Sequence, residues 1–125
     1  MSKLYGVGVG PGDPELMTIK AVNAVRNSGT VCFVGKSEAS SIAFNIAKQA
    51  IPEIEEKKKV CIDFPMTKDK DILEEAHAKI TALIKDLLMD GDVALLTLGD
   101  PGVYATYSYI AEKLKKENIQ IITIA

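Results

Sequence analysis

The sequence has few of the residues that build metal centres, disulfide frameworks or nucleic-acid surfaces. It contains one histidine, His77, and two cysteines, Cys32 and Cys61, so no metal site is indicated. Both cysteines lie in apolar, strand-like runs, which predicts reduced, buried thiols in a cytoplasmic protein rather than a disulfide. The net charge is −2 with acids and bases interspersed, so no nucleic-acid partner is expected.

Long apolar stretches are also missing. No run approaches the ~20 residues of a membrane span, and the first residues lead directly into a predicted strand, so neither a membrane protein nor a signal peptide is indicated. The composition that remains is typical of one globular domain, with 125 residues, of which 47% are hydrophobic and 26% are charged.

Glycine is concentrated in the stretch Tyr5–Asp13, around which the rest of the chain is organised. Apolar, β-prone residues are followed by glycines at positions 6, 8, 10 and 12 and by Pro11, which together favour a bent, stiff loop. Asp13, Pro14 and Glu15 then predict the start of a helix, with an Asp cap and proline at the first position. A strand that leads through a glycine loop into a helix is where open α/β sheets bind ligands.

This loop does not match the nucleotide-binding motifs. The dinucleotide fingerprint has a third glycine where Asp13 stands, and the lysine and Ser/Thr of a P-loop are missing. The Asp13 carboxylate would also repel a phosphate at close range. A phosphate is therefore disfavoured, whereas a plain tight turn and a loop for another ligand both stay open. Four glycines and a proline are more than a tight turn requires.

The apolar patterns predict four strand–helix units and a final strand. This order predicts an α/β fold, a three-layer domain with a five-stranded parallel sheet, helices on both faces and right-handed crossovers. The later elements are predicted as a helix over Leu16–Asn27, a strand over Thr30–Val34, a helix capped by Ser40 or Ser41, a strand over Val60–Phe64, a helix over Lys70–Met89, a strand over Asp92–Leu98, a helix containing Val103 and Leu114, and a strand over Ile119–Ile124.

Helical periodicity also predicts which side chains face the core. The expected core residues are Ile19, Val22 and Val25 in the first helix and Leu73, Ala76, Ile80, Leu83, Ile84 and Leu87 in the long third helix. His77 lies off that stripe and is expected to be exposed. The charge run Glu53–Lys59 is interpreted as a solvated connection.

A second glycine–proline loop, Gly99–Gly102, follows the fourth predicted strand and opens a helix. Parallel strands place both loops at the carboxyl edge of the sheet, and the loops face each other across one crevice if the first and fourth strands are neighbours. The loops offer backbone amides, Asp13, Asp100 and Tyr104, and they contain no Lys or Arg. Such a crevice suits a ligand with a cationic or polar head and a flat apolar part.

Together the two loops resemble the signatures of the tetrapyrrole (corrin and porphyrin) methyltransferases. Gly8–Thr18, with the sequence GVGPGDPELMT, is similar to the first signature, and Leu98–Tyr104, LGDPGVY, is similar to the second loop. Three further stretches, Leu4–Gly10, Phe64–Thr67 and Tyr104–Tyr109, resemble the branch of the family that methylates C20 of precorrin-2 or cobalt-factor II in cobalamin biosynthesis.

The resemblance implies methylation of a tetrapyrrole carbon with S-adenosylmethionine as co-substrate. It implies cofactor contacts from Pro11, Leu98, Gly99, Asp100 and Val103, and tetrapyrrole contacts from Gly10 and Tyr104. Asp100 is the candidate base, and its alternative is an aspartate that stabilises the loop through nearby amides. Tyr104 either lines the substrate trough or is the first core aromatic of its helix.

The resemblance also implies a second domain of similar size and a cofactor cleft between the two domains. Residues 1–125 are then expected to be the amino-terminal domain, inactive by itself, of an enzyme whose full-length form is a homodimer. Two alternatives stay open, namely a family member that acts on another ring carbon or substrate, and a non-catalytic α/β ligand-binding module.

Overall fold

The structure is a computed structural model that describes residues 2–9, 13–63, 68–97 and 101–124, without the side chains of residues 101–105. Strands and helices alternate along these residues. In chain order the elements are β1 (Lys3–Gly8), a first 3-10 helix (Pro14–Leu16), α1 (Ile19–Asn27), β2 (Thr30–Val34), α2 (Ile42–Ala50), a second 3-10 helix (Pro52–Glu56), β3 (Lys58–Ile62), α3 (Lys70–Leu88), β4 (Val93–Thr97), α4 (Pro101–Lys115) and β5 (Gln120–Ile124).

The strands of the described residues form one parallel sheet of five, in the order β3-β2-β4-β1-β5. One core cluster lies between the sheet and the α1 and α2 helices, and a second lies between the opposite face and α3 with α4. This arrangement confirms the predicted three-layer α/β fold. Within the described ranges no helix is both long and apolar enough to span a membrane.

The central strand β4 shows why some strands were easy to recognise. Val93 and Leu95 point into the core beside α3 and α4, whereas Ala94 and Leu96 point into the core beside α1 and α2. A strand that is buried on both faces is apolar at every position, so its sequence is a continuous apolar run.

The predicted start of α1 was wrong. The chain first makes the 3-10 helix Pro14–Leu16, and α1 begins at Ile19, where the Thr18 hydroxyl accepts a hydrogen bond from the Ala21 amide at 3.1 Å. Because Ile19 falls at the first position of this later helix, its side chain is 80% exposed instead of buried. Val25 is buried as predicted.

The charge run before β3 is solvated at Glu55, Glu56 and Lys58, as predicted, but it is not merely a connection. Residues 52–56 form the second 3-10 helix, and Ile54 within it is fully buried in the core beside α1 and α2. β3 starts at Lys58, two residues before the predicted start at Val60. It is an edge strand, so lysine side chains reach solvent from it, and the apolar signal covers only its later part.

The core face of α3 was predicted in part. Ile80, Ile84 and Leu87 are buried, but Leu83 is exposed. Leu88 takes its place in the core, so the buried stripe is turned slightly around the helix axis relative to the prediction. The helix reaches Leu88, one residue before the predicted Met89.

The two cysteines differ in environment, although both are free thiols. Cys32 in β2 is buried as predicted, and this burial raises the pKa of its thiol to about 12, against a smaller lowering by the charge of Lys58. Cys61 is exposed, so the prediction of a buried thiol was wrong for this residue. The physical reason is that Cys61 lies in the edge strand β3, which has a neighbour on one side only.

Candidate functional site

The carboxyl ends of β1 and β4 lie side by side. The two strands pair in parallel, with Gly8 opposite Thr97. The ladder continues one residue further, because the Val9 amide donates to the Thr97 carbonyl at 3.1 Å. The Thr97 hydroxyl also donates to the Val7 carbonyl at 3.3 Å, which ties the same two ends together. The chain therefore enters both glycine–proline segments from adjacent positions at one edge of the sheet.

The connections from these two strand ends leave toward opposite faces. The segment after β1 leads to α1, which packs in one core cluster, whereas the segment after β4 leads to α4, which packs in the other. Adjacent strands whose connections diverge in this way form a topological switch point, where open α/β sheets have their ligand crevice. The structure thus confirms the condition on which the predicted crevice depends, namely that the first and fourth strands are neighbours.

Most of the predicted site residues lie outside the described residues. These are Gly10, Pro11, Leu98, Gly99 and Asp100. Their predicted roles stay predictions, and what the structure shows is the adjacent placement of the strand ends that flank them.

Two predicted site residues lie in the first part of α4. Val103 and Tyr104 belong to this helix, which begins at Pro101, but their side chains are outside the described part of the structure. α4 therefore starts close behind the β4 segment, as the sequence predicted.

Asp13 has the capping role that the sequence predicted, but on a shorter helix. Its Oδ1 accepts a hydrogen bond from the Glu15 amide at 2.9 Å, and Pro14 occupies the first position of the 3-10 helix. The Asp13 side chain is exposed. Its carboxylate therefore faces solvent close to the first glycine–proline segment, where it makes a phosphate ligand unfavourable.

The sequence did not identify the loop after β2 as part of the same edge. β2 pairs with β4 in parallel, so this loop leaves the sheet one strand away from the β4 segment. Gly35 has a φ of 151°, and its amide donates to the Ile62 carbonyl at 3.0 Å. The next residue, Lys36, is exposed. It places a positive charge at the carboxyl edge of the sheet, whereas the two glycine–proline loops contain no Lys or Arg. Only the strand order could reveal this neighbour, because the loop is far from both motifs in sequence.

The prediction that the His77 side chain is exposed to solvent was wrong. It is half-buried between α3 and α4, with its ring centroid 4.6 Å from that of Tyr109. Its Nε2 lies 3.4 Å from Thr106 Oγ1. These contacts join α3 to α4 behind the first turn of α4. The ring faces a residue of another helix, a contact that periodicity within α3 alone does not reveal.

The family model of the Tetrapyrrole (Corrin/Porphyrin) Methylases matches residues 3–125. The chain belongs to this family. The match includes β1, β4 and both glycine–proline segments, so the family model spans the edge described above.

Two individual proteins with similar sequences are described as C(20)-methyltransferases. The chain is 39% identical over 124 residues to a protein of Methanocaldococcus jannaschii described as a probable cobalt-precorrin-2 C(20)-methyltransferase, with 97% of this chain and 51% of that protein covered. It is 31% identical over 124 residues to a precorrin-2 C(20)-methyltransferase of a Sinorhizobium species, with 91% of this chain and 49% of that protein covered. The chain thus spans about half the length of these relatives.

A solved structure has the same fold. The uroporphyrin-III C-methyl transferase of Thermus thermophilus, solved in complex with S-adenosyl homocysteine, superposes with a TM-score of 0.63 at 22% identity. The alignment covers 98% of this chain and 44% of that protein. At this level of identity the similarity establishes the fold of the tetrapyrrole methylase domain.

Proposed function

We propose that this chain is the amino-terminal domain of an S-adenosylmethionine-dependent methyltransferase that methylates C20 of precorrin-2 or cobalt-factor II. The observation that carries the proposal is the side-by-side position of Gly8 and Thr97, from which both family segments begin. The two C20-methyltransferases that cover nearly the whole chain support the choice of ring carbon. The free thiols fit the reducing cytoplasm in which we place the enzyme.

The geometry of the sheet edge fits such a co-substrate. A switch point between two parallel strands offers a crevice lined by backbone groups, which suits a ligand with a polar amino-acid end and a flat adenine. In the proposed site Pro11, Leu98, Gly99, Asp100 and Val103 hold S-adenosylmethionine. Gly10 and Tyr104 contact the tetrapyrrole.

The chemistry requires little from the protein besides positioning. S-adenosylmethionine supplies a methyl group bound to a positively charged sulfur. An electron pair of the tetrapyrrole carbon forms the new C–C bond while the S–C bond breaks, and the electrons of that bond stay on sulfur and remove its charge. No Ser, Cys or Lys nucleophile is needed, so orienting the two reactants is the main contribution of the site.

A proton must leave after the methyl group has been transferred, because C20 carries a hydrogen before the reaction. Asp100 is the carboxylate that we propose as the acceptor of this proton. The competing role is structural, with the Asp100 carboxylate accepting hydrogen bonds from amides of its own loop. A substitution that preserves shape and removes the charge separates the two roles.

The decisive experiment is product analysis with the longer protein that contains this domain. Incubation with precorrin-2 or cobalt-factor II and S-adenosylmethionine should yield one added methyl group at C20, located by mass spectrometry and NMR. Methylation at another carbon or on another substrate would show a different activity within the family. Equilibrium titration of the same protein with S-adenosylmethionine, ATP and NAD tests the non-catalytic alternative, since a methyltransferase should prefer S-adenosylmethionine and turn it over.

A further inference from the structure

Three large apolar side chains stand in solvent next to the candidate site. Leu16 is 58% exposed, Ile19 is 80% exposed and Ile42 is 64% exposed. Leu16 ends the first 3-10 helix, Ile19 begins α1 and Ile42 begins α2. Each of these elements follows a strand end, so all three side chains belong to the carboxyl edge of the sheet. Apolar groups that remain exposed together commonly mark a binding surface.

The elements that carry these side chains are in contact. The first 3-10 helix packs against α2, which brings the segment of Leu16 to that of Ile42. Ile19 follows Leu16 after two extended residues, Met17 and Thr18. We call Leu16, Ile19 and Ile42 the apolar rim.

Lys36 lies beside the apolar rim on a well-anchored loop. A Cβ placed on Gly35 would be 3.1 Å from the Cβ of Ser41, so the loop backbone packs against the residue that caps α2. The Asn45 side-chain amide donates to the carbonyls of Glu38, Ala39 and Ser41, at 3.3, 3.1 and 2.8 Å. These bonds fix the loop backbone to the start of α2, so the residue before Lys36, Gly35, packs against the residue before Ile42, Ser41.

The charges around the apolar rim give it a polarity. Lys36 is exposed and forms no ion pair within the described part of the chain, whereas Glu38 is paired with Lys59 at 3.2 Å. Asp13 and Glu15 precede Leu16 in the chain, and both are exposed. An anionic ligand with an apolar body is therefore attracted at the Lys36 side and repelled at the Asp13 side.

We propose that the apolar rim and Lys36 bind the periphery of the tetrapyrrole substrate. The three apolar side chains contact the hydrocarbon part of the macrocycle, and the Lys36 ammonium pairs with one of its side-chain carboxylates. The inference rests on the proposed function for the substrate class, and it assigns the orientation of that substrate mainly to Lys36 and Ile42, which lie outside both family segments. The carboxylated edge of the macrocycle points to the β2 loop, away from Asp13 and Glu15.

The test is a titration of this chain with uroporphyrin III, followed by the fluorescence of the porphyrin. Lys36→Glu should weaken binding about five- to tenfold at low salt, and the difference should shrink at high salt. Ile42→Ser should weaken binding about three- to tenfold at any salt concentration, because less apolar surface is covered.

Two matched control variants lie near the amino ends of the strands, away from the carboxyl edge that carries the apolar rim. Lys116→Glu reverses another exposed lysine, just beyond the end of α4, and Met89→Ser removes an apolar side chain that is 84% exposed at the end of α3. Both should change the dissociation constant by less than about twofold. Circular dichroism of all variants verifies that they fold.

Equal weakening by Lys36→Glu and Lys116→Glu would overturn the inference, since binding would then follow net charge alone. Failure of the unchanged chain to bind uroporphyrin III would overturn it too. The proposed function is tested independently by product analysis, because methyl transfer can be present without a role for Lys36. In the longer protein, Lys36→Glu should raise KM for the tetrapyrrole and leave KM for S-adenosylmethionine unchanged.

Discussion

The ring of Tyr107 in α4 lies directly over Gly6 in β1. A Cβ on Gly6 would stand 2.2 Å from the Cζ of Tyr107 and 2.5 Å from its Cε1. The Tyr107 hydroxyl is 2.7 Å from Thr123 Oγ1 in β5, and Thr123 is the residue opposite Gly6 in the sheet. Gly6 therefore lets a helix approach the strand closely. The contact sets the height of α4, which carries Val103 and Tyr104, above the sheet.

Gly6→Ala should destabilise the domain. The added methyl group overlaps the Tyr107 ring, so either the ring or the whole of α4 has to shift, which costs about 1–3 kcal/mol in a packed core. Urea unfolding followed by circular dichroism measures the loss.

Two comparisons make this prediction specific. Gly29→Ala adds the same methyl group where no atom lies within 4 Å, so it should be close to neutral. In a Tyr107→Leu background the cost of Gly6→Ala should fall, because the overlapping ring atoms are gone. An unchanged cost in that background would show that Tyr107 is not the obstacle.

Ile54→Ala should be far more damaging than Ile19→Ala. Ile54 is fully buried in the core beside α1 and α2, so its truncation leaves a cavity that costs about 2–5 kcal/mol. The side chain of Ile19 is largely exposed, and its truncation should stay within about 0.5 kcal/mol. The midpoints of urea unfolding for the two variants test the contrast, and equal shifts would contradict the burial seen here.

The two thiols should react differently with Ellman's reagent in the folded chain. Cys61 is exposed and should react, and its rate should rise with pH because the thiolate is the reactive form. Slight desolvation and the charge of Glu38 raise the pKa of this thiol, so the rate should rise at higher pH than for a free cysteine. Cys32 should react only after unfolding, because it is buried and its thiol pKa is raised to about 12. The Cys61→Ser variant should show no reactive thiol until denaturant is added, and fast reaction in that variant would contradict the burial of Cys32.

The raised pKa of Cys32 also links stability to pH. An unfolded chain ionises this thiol near its ordinary value of 9.0, whereas the folded chain keeps the proton up to about 12. The contribution of the protonated Cys32 thiol to the free energy of unfolding is therefore fully present below pH 9, and it is lost as pH rises from there toward 12. Unfolding midpoints across this range should fall more steeply for the unchanged chain than for Cys32→Ala.

Asp100→Asn should preserve the fold and lower methyl transfer in the longer protein. If Asp100 accepts the proton from C20, the loss in kcat should be about 10²–10⁴. Asp86→Asn, an exposed aspartate on α3, is the matched control and should leave kcat unchanged. Unchanged kcat and cofactor affinity in Asp100→Asn would leave this residue with its structural role in the loop.

The chain of residues 1–125 should fold cooperatively by itself but bind S-adenosylmethionine weakly. Helices cover both faces of its sheet, which is sufficient for a core. If the other half of the relatives' length supplies part of the cofactor cleft, losing three or four hydrogen bonds of roughly 0.5–1.5 kcal/mol each weakens binding by at least about a hundredfold. Isothermal titration decides the matter, and micromolar affinity with turnover would show that no second domain is needed.

The sequence was most informative where local pattern and tertiary environment coincide. β2 and β4 were recognised because strands buried on both faces are apolar throughout. The capping role of Asp13 was recognised because a cap is a contact between neighbours in the chain. The two glycine–proline segments were recognised because they match a family pattern, which needs no knowledge of which strands are adjacent.

Predictions of burial from local sequence patterns failed where a residue's environment depends on distant parts of the chain. Ile54 stands among charged residues, yet it is buried because the second 3-10 helix folds against the core beside α1 and α2. Cys61 stands in an apolar run, yet it is exposed because β3 is at the edge of the sheet. Local composition does not predict the burial of Ile54 or the exposure of Cys61, because burial depends on which elements pack together.

The sequence by itself determined the fold class, the family and the two loops of the candidate site. Only the tertiary structure decided that β1 and β4 are adjacent, that Gly6 receives the ring of Tyr107 and that Lys36 lies at the edge of the proposed site. The physical reason is that alternation and helical periodicity report which face of an element is apolar. Which other element covers that face follows from the order of strands in the sheet, and long-range pairing of the backbone sets this order.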